Sequence, residues 1–125
     1  MSMPDARIEP KDYQRLAEDG LALIYCTFPS LELAKAAAGP LIAQRLAACV
    51  NLMPGMIAIY EWEGHLHEVS EVVALIKTRR SLIDPVFKAI TAHHTHANPA
   101  LLSVDVHSSP ANYFDWVIAQ TEKLG

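Results

Sequence analysis

The sequence predicts an α+β domain of the ferredoxin-like type, a split βαβ pair, carrying one further helix at its C-terminus. Three observations predict it. The chain has 125 residues, enough for one domain to bury a core of its own. Hydrophobic residues make up 51% of it and charged residues 19%, a balance that excludes disorder. Apolar patterning and turn residues run in the order strand, helix, strand, strand, helix, strand, helix. The first helix is then a right-handed crossover between strands that are not neighbours. The layout hosts many functions and names none.

The elements follow in chain order. Residues 1–20 are polar and hold Pro4 and Pro10. They read as an N-terminal extension, with a short helix predicted over 10–18, and the domain proper as residues 21–125. Residues 21–28 form a short apolar run between Gly20 and Pro29, a buried strand. Ser30 is the predicted N-cap of a helix reaching about Ala48, with Glu32 in its first turn. Gly39-Pro40 predicts a kink or break near Ala38, because a mid-helix proline loses a backbone bond and clashes with the preceding turn. Residues 50–62 read as a strand with a bulge or bend at Pro54-Gly55. Glu63-Gly64 is a turn, and residues 67–78 a third strand.

Residues 72–76 are all apolar, so both faces of that stretch call for burial. A domain of this size has helices to cover one sheet face, which predicts a homo-oligomer covering the other. Ser81 is the expected cap of the next helix, with Asp84 as a capping-box variant. Leu102, Val104 and Val106 alternate with polar residues as in a half-exposed strand. Ser109-Pro110 opens the last helix as N-cap and first helical residue.

Charge and composition limit the function. Lys and Arg number 10 against 14 Asp and Glu, a formal net charge of -4. A mildly acidic chain lacks the basic footprint for nucleic acid or anionic lipid. No apolar run approaches the roughly 18 residues of a membrane span. Residues 1–9 contain Asp5, Arg7 and Glu9 and no apolar core of a signal peptide, so the expected compartment is the cytoplasm. Cys26 and Cys49 are then expected to be reduced thiols. There is no Gly-x-x-x-x-Gly-Lys phosphate loop and no Gly-x-Ser-x-Gly elbow. No carboxylate is spaced to activate Cys26 or a serine, and the chain reads as a non-enzyme. His65 and His67 share a strand face with Glu63. A solvated hairpin tip is the preferred reading there over an open metal site.

Several stretches carry a resemblance: Tyr25-Cys26-Thr27, Arg45-Leu46-Ala47-Ala48-Cys49-Val50-Asn51, Pro54-Gly55, Tyr60-Glu61-Trp62-Glu63-Gly64, Ile76-Lys77-Thr78, His93-His94, Pro99 and Tyr113-Phe114-Asp115-Trp116. In this order and spacing, over about four-fifths of the chain, the sequence resembles the CutA family of divalent-cation-tolerance proteins. The resemblance implies a tight trimer whose strands pair across subunits, and tolerance to copper and other divalent metals. It implies copper ligands at Cys26, His93 and His94. The sequence departs from the family where a His-Pro-Tyr-Glu-x-Pro-Glu run is usual. His94, Thr95, His96, Ala97, Asn98, Pro99 and Ala100 stand there, so both carboxylates are lost and His96 adds an imidazole.

Thiolate and imidazole suit copper or zinc and bind calcium or magnesium poorly. Neighbouring histidines on a regular helix point about 100° apart, so His93 and His94 meet one ion only if the helix ends between them or if each serves a different subunit. The plainer alternatives stay open: Cys26 as a small core residue, and the histidines as cations at a helix C-terminus. Two other functions also stay open. One is a small-molecule sensor by analogy with the trimeric PII signal transducers. The other is a structural trimer presenting a partner-binding surface.

Overall fold

The computed structural model describes residues 19–96 and 98–122; the predicted helix over 10–18 lies outside them. Its elements are β1 (Leu21–Phe28), α1 (Leu31–Ala43), β2 (Cys49–Trp62), β3 (His65–Arg79), a 3-10 turn (Arg80–Leu82), α2 (Ile83–His93), β4 (Leu101–Asp105) and α3 (Ala111–Gln120). The sheet runs β2-β3-β1-β4 with every neighbouring pair antiparallel. This is the α+β split-βαβ order the sequence predicts.

Strand alternation divides the sheet into two faces. Ile24, Cys26 and Phe28 of β1 point with Val72, Ala74 and Ile76 of β3 onto α1 and α2, where they meet Ala34, Leu41, Val86 and Ile90 in the main core. Burying Ile24 and Ile76 completely contributes roughly 1.5–3 kcal/mol each. Leu21, at the start of β1, packs instead with Ala48 against Phe114 and Val117 of α3.

Of the kink or break expected near Ala38, the break does not occur: α1 continues through Gly39-Pro40 and ends at Ala43, short of Ala48. Its stop is a Schellman turn. Arg45 adopts a left-handed φ of 59°, and its N–H donates to the Ile42 carbonyl while that of Leu46 donates to Leu41, so the last carbonyls are satisfied. Ser30 caps α1 as predicted, accepting from the Leu33 N–H. Ser81 does not cap α2. Leu82 holds that position, and the Ser81 N–H and hydroxyl both donate to Asp19. The N-cap of α3 is Pro110, not Ser109. The C-terminal carbonyls of α3 are met from afar by Arg45, which donates to Gln120, and Arg79, which donates to Thr121.

The bulge at Pro54-Gly55 is present as a register shift between Met53 and Met56, with Gly55 at φ 87°. Glu63 and Gly64, both at positive φ, form the tight turn that matches strand twist. β3 pairs with β1 only from Val72 to Arg79, so the outer part of the β2–β3 hairpin stands beyond the sheet as a two-stranded ribbon. The 72–76 stretch is covered largely within the chain, Val73 on the face away from the main core included (5% exposed). The uncovered apolar side chains lie elsewhere: Leu102 and Val104 on β4, about half exposed, and Ile59 and Leu66 on the ribbon, 66% and 78% exposed.

Candidate metal centre

Cys26 sits on the inward face of β1, opposite Ala74, and is 0% exposed. Its thiol donates weakly to the Thr27 carbonyl, 3.6 Å away. Burial is the largest influence on it and pushes its pKa from 9.0 up to about 11. The Thr27 contact pulls the other way and the negative charge of Glu71 adds to the rise. At neutral pH the group is a thiol, so ligation requires an ion to displace its proton.

α2 ends between the two histidines. His93 is its last residue, and His94 is extended at φ -79°, ψ 144°. The His94 ring lies on Phe28, centroids 4.9 Å apart, and its Nε2 is 2.8 Å from the Thr27 carbonyl oxygen. A carbonyl only accepts, so Nε2 carries the hydrogen and Nδ1 is free to accept, as it does from the His96 N–H at 3.0 Å. Both ring nitrogens are thus engaged within the chain. His93 is exposed at the helix end.

The loop after α2 is therefore tied to the end of β1, one residue from Cys26, by a contact the sequence did not signal. Cys26 itself lies under the sheet surface and His93 outside it. Among the described residues, no three His, Cys, Asp or Glu side chains gather to hold an ion. That includes the hairpin tip, where His67 stacks on Tyr60 (5.3 Å) and His65 pairs with Trp62.

A cleft of about 1050 Å³ opens beside this corner, between the ribbon and the loop after α2. Tyr25, Thr27, Glu71 and His96 line it, with Tyr60 and Trp62 on the ribbon side. Nothing in the sequence foretold the cleft; the nearest signal was the departure at His96, which replaces a phenol with an imidazole.

Comparison with known proteins places these features. The family model described as CutA1 divalent ion tolerance protein matches residues 22–120. The divalent-cation tolerance protein CutA of Pyrococcus horikoshii is 36% identical over 103 residues, covering 82% of this chain and 100% of that protein. The chloroplastic protein CutA of Arabidopsis thaliana is 35% identical over 95 residues, 76% of this chain but 52% of that protein; the chain thus spans about half the length of this plant relative. The crystal structure of CutA1 from Ehrlichia chaffeensis superimposes with a TM-score of 0.81 at 26% identity, covering 85% of this chain and 99% of that one. The chain belongs to the CutA1 divalent ion tolerance family.

Proposed function

We propose that the protein is a cytoplasmic homotrimer, without enzymatic activity, that binds copper or a similar divalent ion in metal tolerance, through Cys26, His93 and His94. The observation that carries the reading is the 2.8 Å contact between His94 and the Thr27 carbonyl. It joins the strand end that bears the thiol to the helix end that bears both imidazoles. The end of α2 between His93 and His94 frees their rings from a fixed helical divergence. Thiol and imidazole are the donor types that select copper or zinc over harder cations.

The reading demands movement. An ion reaches Cys26 only if the shell around it opens, and it takes Nδ1 of His94 only by displacing the His96 N–H. The trimer is supported by apolar surface the chain leaves uncovered, on the ribbon and on β4, of the kind that marks association surfaces. Copper titrated into metal-free protein, with Cys26→Ser and His94→Ala alongside, is the test. Affinity is expected to fall about tenfold or more in each variant, as loss of one ligand does. Affinity unchanged in Cys26→Ser removes the thiol from the site.

The cleft of about 1050 Å³ favours a second reading, a small-molecule sensor. Thermal stabilisation by nucleotides and not by metals supports that one instead.

A further inference from the structure

A second cavity lies at the opposite end of β1 from His94. It measures about 300 Å³ and is walled by the first residues of β1, the β4–α3 connection and α3. Leu21, Leu23, Val106 and Val117 make it apolar. Lys77 of β3 and Tyr113 of α3 also line it, with the hydroxyl residues Thr78, Ser108 and Ser109. Lys77 is half-buried, and its ammonium makes no ion pair or hydrogen bond with any described residue. Among the described residues it has no counter-charge, so an anion entering the cavity would meet an unpaired cation there.

We propose that this cavity binds a small carboxylic acid with an apolar body, the body against the leucine and valine walls and the carboxylate on Lys77. The volume lies at the low end of ligand pockets, which limits the ligand to a single ring or a short chain. Neutral hydrocarbons would leave the ammonium unmet. Metal ions are repelled by it. A phosphate would set a dianion against apolar walls with one cation to offset it. The Tyr113 hydroxyl supplies a second donor to the carboxylate. Burial, and secondarily Cys49, raises its pKa, so it keeps its proton at neutral pH. Neither side chain belongs to the proposed ion site, so the two readings stand or fall separately.

The test compares phenylacetate with its neutral analogue phenylacetamide on the intact metal-free protein, by NMR titration. Phenylacetate is expected to bind at least about tenfold more tightly, with contacts from its ring to the Leu23 and Val117 methyls. Lys77→Met is expected to abolish the preference, Lys77→Arg to retain it, and both to leave copper affinity unchanged. Equal binding of acid and amide overturns the proposal. So does no binding of the acid at about 10 mM, or ring contacts to methyl groups outside this cavity. The wild-type comparison and the ring contacts decide the matter even if Lys77→Met does not fold.

Discussion

The two halves of the β2–β3 hairpin are built from the same two strands and meet opposite fates. The inner half, where β3 pairs with β1, is buried on the face toward α1 and α2 and largely covered on the other. The outer half carries apolar residues just as large, Ile57, Ile59, Trp62 and Leu66, and leaves each more than half exposed. Hydrophobicity alone does not distinguish them; what differs is whether the chain supplies a neighbour. The inner half explains why the subunit folds, and the outer half explains why it is expected to associate.

The largest effect on folding is expected from Ile76→Ala in the inner half. It removes a fully buried side chain, and urea denaturation should show a loss of about 3 kcal/mol. Next comes pH. The folded pKa of Cys26 is raised from 9.0 to about 11, so the unfolded chain releases this proton first. The contribution is full below about pH 9 and is lost as pH rises toward 11. Its size is up to about 2 kcal/mol, and the wild-type loss over that window should be absent in Cys26→Ala.

Thr78→Val should cost about 1–2 kcal/mol by thermal denaturation. Its hydroxyl donates 2.7 Å to the Leu46 carbonyl and ties the end of the α1–β2 connection to β3, and the change leaves that carbonyl unmet. The smallest effect on subunit stability belongs to Leu66→Glu on the ribbon, within about 0.5 kcal/mol. The same change should lower the mass seen by light scattering from trimer to monomer. Wild-type protein that is monomeric at tens of micromolar would break the comparison, since the ribbon would then stay uncovered.

Local signals in the sequence proved the readable ones. Glu63-Gly64 and Pro54-Gly55 placed the hairpin and its bulge because glycine there meets a backbone requirement. The end of α1 was not readable, because Arg45 occupies a left-handed position where glycine is the usual signal. Its guanidinium is held on α3, far along the chain. Ser81 misled for a similar reason: its partner is Asp19, 62 positions away. The alternation in β4 was read correctly as a strand, but its Leu102 and Val104 face away from the core while Leu101 packs on it, which no single strand reveals.

The candidate site divides the same way. A helix end between His93 and His94 is one of the two conditions the sequence set for a shared ion, and the structure has it. The tether of His94 to Thr27, the engagement of both its nitrogens and the sealing of Cys26 depend on contacts between distant segments. The cleft beside them depends on the ribbon leaving the sheet.

The central claim is that the buried thiol and the imidazoles share an ion. X-ray absorption at the copper edge of copper-loaded protein tests it most directly. A shell with one sulfur and two imidazole nitrogens, the sulfur lost in Cys26→Ser, is the predicted result. A shell of nitrogen and oxygen alone, identical in both proteins, would contradict it.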